Sequence, residues 1–256
     1  VSDFLGAYDA AFRTGSVPEE AILDYVERYK RFDSMVPEAA SFYYLHEIGK
    51  KKIWFLGKLQ APTTGFSNEA SLEMGVDFAF ERFHPDDMWV ILRHVYPAFD
   101  RILHATPREE RRRVYAQYNY RLRHFSGEYR NLLERVYVLE LDDAGLPSLL
   151  LANVSIIDYG KYFPVCFIGK HVMRSGVARV LDFKVFSQED QVFDTVTARE
   201  IEVLRNLSLG KTSRQIAEDL FISKHTVDTH RRHLLGKLGC KSTVGLARFA
   251  SAHGLV

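Results

Sequence analysis

The chain has 256 residues, 46% of them hydrophobic and 13% aromatic, and a formal net charge of +1. That length fits roughly two domains of about 150 residues each, and no apolar run approaches the roughly 20 residues needed to span a bilayer. The opening Val1-Ser-Asp-Phe4 carries neither a basic n-region nor a signal-like apolar stretch, and two cysteines far apart, Cys166 and Cys240, argue against a disulfide scaffold or a thiolate zinc site. The expected location is cytoplasmic, with no membrane partner.

Residues 1–37 read as an N-terminal helical arm. Pro18 suits a first helical turn, and Ile22, Leu23, Val26, Tyr29 and Phe32 then share one broad face. That stripe is expected to pack on the next domain or on a second subunit. Phe42–Ile48 and Ile53–Leu56 flank Gly49-Lys-Lys-Lys52, a strand–turn–strand pattern. Residues 61–106 read as helical and irregular, with a helix over about 88–103. It begins after His84-Pro-Asp-Asp87, where Asp86 or Asp87 is expected to cap free amides rather than to form a catalytic pair. Residues 107–113 are charged and expected to be exposed. Three strand-like runs follow, Gln117–Phe125, Tyr129–Leu141 and Ser148–Tyr159, with turns at Ser126-Gly127 and Asp142–Gly145. Tyr118, Tyr120 and Leu122 alternate with Asn119, Arg121 and Arg123, the pattern of a strand with one buried face. Residues 162–172 and 177–186 read as another strand pair or an ordered linker, and 187–195 as a polar linker.

Two strands, short helices, a longer helix and a three-stranded meander are the element order of a PAS domain. The His84–Asp87 segment and the strand Tyr118–His124 with its glycine turn are similar to the PAS pattern, and the resemblance covers residues 38–160. With the extra strands, the sensor region is taken as 38–186. The resemblance implies a site between sheet and helices for an unknown small molecule, or a surface for a protein partner. Trp54, Phe66, Met74, Phe78, Phe83, Trp89, Tyr118 and Tyr120 either line such a site or simply fill the core. No cysteine lies in 38–160, and His46, His84, His94, His104 and His124 carry no haem-like signature. No cofactor is expected. A receiver's acidic cluster, the acyl-homoserine-lactone pattern, a phosphate loop, a nucleophile elbow and a metal helix are all unmatched, so neither an enzyme nor a metal site is expected.

The last sixty or so residues carry four helix starts. Thr197 precedes Glu200 by three residues, and Thr212 precedes Gln215 likewise, the capping-box spacing that satisfies free amides. Ser223 opens a third helix to about Leu238, and Thr243 a fourth; Gly210 and Gly239 mark ends. Ten basic and five acidic residues from 197 onward give this region +5, leaving −4 for the rest of a +1 chain. Such asymmetry fits either a polyanion partner or a solvated helical face.

Glu200, Val203, Leu204, Gly210, Ile216, Ala217, Ser223, Thr226, Val227, His230, Lys237 and Leu238 match the LuxR/FixJ-type helix-turn-helix, a resemblance covering residues 196–256. It implies double-stranded DNA as partner, with the third helix in the major groove. Thr212, Ser213, Arg214, Ser223, Lys224 and Thr226 would then lie near phosphates, and Asp228, Thr229 and Arg232 would face bases. His230, Arg231, Lys237 and Lys241 complete the implied DNA-binding set. Asp228 departs from the family's usual base: it accepts from a cytosine amino group, or it pairs with Arg231 or Arg232 and orients them. His230 is either a packed core histidine or also a phosphate donor. Gly236 costs the helix about 1 kcal/mol relative to alanine. The resemblance also implies a homodimer, joined through the fourth helix.

The expected fold class is therefore α+β: a PAS-like antiparallel sheet with helices, then an all-α four-helix domain. The expected function is sequence-specific DNA-binding transcription regulation. The alternative is a ligand-binding or scaffolding protein whose helix-turn-helix serves protein contacts.

Overall fold

The computed structural model describes residues 15, 17–37, 41–159, 164–186 and 193–252. The chain forms two compact units, one ending at Asp182 and one beginning at Phe183. The expected arm falls partly, and the expected linker mostly, outside the described residues.

In the first unit β1 (Ser41–Glu47) and β2 (Lys52–Leu56) form a hairpin. The helices α1 (Glu19–Met35), α2 (Gln60–Thr64), α3 (Asn68–Arg82), α4 (Pro85–Val90) and α5 (Tyr96–Ala105) belong to the same unit. Strands β3 (Val114–Arg123), β4 (Tyr129–Leu141) and β5 (Pro147–Tyr159) form the meander, and β6 (Val165–Val172) follows. The strand order is β2-β1-β5-β4-β3-β6, with antiparallel neighbours. This is the PAS-like arrangement expected from the element order, with one added strand. The run 162–172 therefore supplies a sheet strand, paired from Val114↔His171 to Tyr118↔Phe167.

Side chains alternate across this sheet, so each strand addresses two layers. Leu45, Phe55, Leu149 and Leu151 meet Ile22 and Val26 of α1, which settles what the α1 stripe packs against: the sheet of its own unit. On the other phase, Ile48 and Leu150 meet Val76, Phe80, Met88 and Leu92 from the helical stretch. Each fully buried side chain of this kind contributes about 1.5–3 kcal/mol.

The expected helix over 88–103 is built as α4, a π-helical turn Ile91–Val95, and α5. Pro97 stands in the first turn of α5. It lacks the amide that would bond back to residue 93, and a widened turn accommodates that loss. Within α3, Gly75 adopts φ 68° and ψ −158°, a kink that a residue with a Cβ would resist.

Asp86 and Asp87 do not cap α4. His84 is the N-cap residue, with no side-chain cap hydrogen bond, and Pro85 follows it. Asp87 is instead buried, and its carboxylate accepts from Arg121 Nη2 (2.6 Å), Arg121 Nε (2.9 Å) and the Arg121 backbone N–H (2.7 Å). Arg121 is 13% exposed and Asp87 3%, so this forked pair is largely desolvated. It ties the α3–α4 junction to β3, alongside the His84 N–H to Arg121 carbonyl bond of 2.9 Å. Removing one partner takes the forked counter-charge away from a largely buried charge. Asp87→Ala is expected to lower stability by about 3–5 kcal/mol in urea unfolding; a loss under about 1 kcal/mol, the range of an exposed pair, would contradict this account.

The division between units falls within β7 (Ala178–Phe186), ahead of the expected linker at 187–195. β8 (Phe193–Thr195) pairs antiparallel with β7 between Lys184↔Thr195 and Phe186↔Phe193. Four helices follow: α6 (Ala198–Ser208), α7 (Ser213–Asp219), α8 (Lys224–Lys237) and α9 (Thr243–Ala252). Their shared core includes Val203, Leu204, Ile216, Val227, Leu234, Leu246 and Phe249. The caps are those the sequence implies. Thr197 and Glu200 form a full capping box, as do Thr212 and Gln215, and Ser223 Oγ accepts from the Thr226 amide at 3.0 Å. Gly210 and Gly239 end helices with φ of 78° and 61°. Among the described residues no helix is long and apolar enough to cross a membrane.

Candidate nucleic-acid interface and sensor cavity

α7, the turn Leu220–Ile222 and α8 form the helix-turn-helix. Its cations divide into an inward and an outward set. Lys237 points in: its Nζ lies 2.9 Å from Glu200 Oε2. The same Glu200 oxygen accepts the Thr197 backbone N–H at 2.8 Å. One buried carboxylate therefore caps α6 and fastens α6 to the end of α8. Arg231 also points in, donating to Ser213 Oγ and Thr243 Oγ1, each at 2.5 Å, so its fork joins α8 to the starts of α7 and α9. Ser213 is buried as the acceptor of that bond. Three members of the implied DNA-binding set, Ser213, Arg231 and Lys237, are thus engaged within the unit.

The outward set is different. Arg214, Lys224, Arg232 and Lys241 are exposed. Arg214 meets Glu218 at 3.3 Å and Lys224 meets Asp228 at 3.4 Å, both exposed i,i+4 pairs of little energetic weight. Among the described residues no carboxylate pairs with Arg232. Asp228 lies 3.4 Å from Lys224 and 3.5 Å from Arg231. A hydrogen bond with Ser213, then the nearby Lys224 and Arg231 charges, hold its carboxyl below the usual carboxylate range. Thr212, Ser223 and Thr226 use their hydroxyls in local caps, and Thr229 Oγ1 donates to the His225 carbonyl at 3.0 Å. His230 is half-buried. Gly236 is exposed, and a Cβ there would meet open space.

In the first unit a cavity of about 120 Å³ lies between the sheet and the α2–α3 helices. Phe66, Phe78, Phe83, Tyr118 and Tyr120 line it. Phe83 stacks on Tyr120 with ring centroids 4.3 Å apart, and Phe66 meets Phe78 edge-on at 4.8 Å. Trp54, Met74 and Trp89 lie elsewhere. Trp54 packs with the α1-facing cluster and donates to Glu47 Oε2 at 2.9 Å. Met74 is exposed, and Trp89 sits at the surface under the Arg93 guanidinium.

Sequence reasoning missed the polar part of this wall. Glu134, 2% exposed, accepts hydrogen bonds from Tyr44 (2.6 Å) and Tyr118 (3.0 Å). Burial pushes its carboxyl up, against the opposing pull of Tyr44, Tyr120 and Tyr118. Burial, together with the Glu134 charge, likewise raises the three phenols well above their ordinary value. The available signal was phase: Glu134 stands in step with Leu132, Val136 and Val138, on a strand whose apolar positions alternate.

With this geometry in place, the comparisons with known proteins agree on the second unit. Residues 194–250 match the model of the bacterial regulatory proteins of the luxR family, and the second unit is a LuxR-type helix-turn-helix domain. The chain is 38% identical over 116 residues to the transcriptional regulatory protein MctR of Rhizobium johnstonii, covering 45% of this chain and 48% of that one. It is 47% identical over 107 residues to a nitrate/nitrite response regulator protein homolog of Haemophilus influenzae, covering 42% and 50%. The chain spans about half the length of these relatives. Among solved structures, a phage VqmA–DPO complex aligns with 93% of this chain and 91% of its own at 14% identity and a TM-score of 0.34. A Vibrio cholerae VqmA dimer solved in the absence of target DNA aligns with 90% and 88% at 16% identity and a TM-score of 0.33.

The Glu200 lock makes a pH-dependent prediction. Burial alone would raise this carboxyl, but the Thr197 amide, the Lys237 ammonium and the Thr197 hydroxyl outweigh it and hold the pKa below its ordinary value. A depressed folded pKa adds stability above the unfolded value, about 4.3, that is lost as pH falls through the folded one. Glu200→Gln is therefore expected to destabilise the second unit at neutral pH. It should also flatten the acid limb of its unfolding free energy as pH falls below about 4.3, followed by helix circular dichroism. An unchanged acid limb would show that Glu200 is not the linked group.

Proposed function

We propose that the chain is a sequence-specific DNA-binding transcription regulator whose PAS-like unit senses a small molecule. The observation that carries this reading is the luxR-family match over 194–250, together with the sorting of charges on α8. Arg231 and Lys237 brace the domain, so the outward cations are the ones available to a polyanion. In this reading α8 enters the major groove with Arg232 forking to a guanine edge and Thr229 offering its methyl to a thymine. Lys224, Arg214 and Lys241 neutralise phosphates and set register without reading sequence. Asp228 orients its cationic neighbours. The protein acts as a homodimer in the cytoplasm, two copies of α8 standing about 34–36 Å apart to read an inverted repeat. It regulates rather than catalyses.

Two substitutions separate readout from attraction. Arg232→Ala is expected to cost about 1–3 kcal/mol on the cognate duplex and to relax preference at one base position. Lys224→Ala is expected to weaken cognate and scrambled duplexes alike and to reduce the slope of log K against log salt by about one. Duplex titrations at several salt concentrations check both. Equal losses by both variants on both duplexes would remove α8 from the groove. Absence of any duplex binding would favour a helix-turn-helix that serves protein contacts.

A further inference from the structure

Two residues that line the cavity each carry a buried polar atom with no internal partner. Gln60, 5% exposed, donates from Nε2 to Thr64 Oγ1 (2.8 Å) and Ser71 Oγ (3.0 Å), while its Oε1 is buried without a hydrogen bond. Arg82 Nε is also buried and unpartnered. The Arg82 guanidinium carbon lies 4.6 Å from the ring centroids of both Phe66 and Phe78, and all three residues line the cavity. Among the described residues no carboxylate stands within ion-pair distance of Arg82.

The other ionisable groups on the wall do not complement it. Glu134 is engaged by its tyrosine phenols. His46 is pushed down to about 4 by burial and stays neutral at physiological pH. Arg82 is therefore the cation on a wall that is mostly aromatic and aliphatic. Two ring faces offset part of its desolvation, but a planar guanidinium is best satisfied by a carboxylate. The volume limits what accompanies that carboxylate. A cavity of about 150 Å³ holds benzene, so this one, at about 120 Å³, takes an apolar body no larger than a single ring or a short branched chain.

We propose that this cavity binds a small monocarboxylate with a compact apolar body, its carboxylate on Arg82 and a hydroxyl or N–H of the body on Gln60 Oε1. The assignment rests on the sensor reading of the first unit and gives that sensor a ligand class. Recognition is by charge at one point, an acceptor at a second, and shape elsewhere. A neutral amide of the same outline lacks the first contact, and a dicarboxylate places a second charge against aromatic walls.

The test is calorimetric titration of the full chain with benzoate, benzamide and the three hydroxybenzoate isomers. Benzoate is expected to bind about ten- to a hundredfold more tightly than benzamide, the ratio for a hydrogen bond to a charged group. At least one hydroxybenzoate is expected to bind more tightly than benzoate. Arg82→Gln should abolish the preference for benzoate over benzamide, while Arg82→Lys should retain part of it. Equal binding of benzoate and benzamide by the unaltered chain, which needs no variant to fold, overturns the anion assignment while leaving a sensor cavity. Binding of none of the probes overturns the proposal outright. Duplex titration of the same preparation reports separately whether the DNA-binding reading stands.

Discussion

The Glu200 carboxylate is the contact on which the geometry of the second unit depends. It closes the capping box of α6 through Thr197, and it holds Lys237 at the far end of α8. A short helix is a poor structure by itself, because its first amides are unsatisfied and its nucleation is costly. Here one buried group satisfies the start of one helix and fixes the direction of another. Arg231 performs the complementary task nearer the middle of α8, bridging Ser213 and Thr243. With the middle and the far end of the third helix braced, its outward residues have a defined spacing. Preorganisation of that kind is what allows side chains to read base edges without first ordering themselves.

The same division between inward and outward charge explains why a +5 region does not present ten free cations. Lys237, Arg231 and Lys211 are engaged by Glu200, Asp228 and Asp219 respectively, each at or under 3.5 Å. In the first unit, the comparable device is a sheet with two faces. One phase is covered by α1, and the other carries the tyrosines of the cavity wall and Glu134 with its phenols. A single residue's slip in register would exchange those faces.

What was legible in the sequence was local. Thr197 with Glu200, Thr212 with Gln215, and Ser223 were readable because a cap and its partner lie within one turn. The alternation through Tyr118, Tyr120 and Leu122 was readable because a strand's faces repeat every two residues. The contacts that escaped were distant ones. Asp87 pairs with Arg121 across 34 residues, and Glu200 with Lys237 across 37. Asp commonly caps a helix that starts at such a place, but the partner of Asp87 is set by the sheet position of β3. Likewise, Trp54 and Trp89 had the right chemistry for a pocket, but only the packing of helices on strands decides which aromatic faces inward. Arg82 and Gln60 were not singled out, since an arginine and a glutamine in helical stretches ordinarily face solvent.

The most direct measurement is selection of genomic fragments by the full chain at fixed salt, followed by methylation protection on the recovered DNA. The account predicts enrichment of a shared motif, with guanine N7 atoms protected in the major groove at the position read by Arg232, because that edge is where α8 would contact sequence. Uniform recovery of fragments, or a shared motif with no major-groove protection, would contradict it.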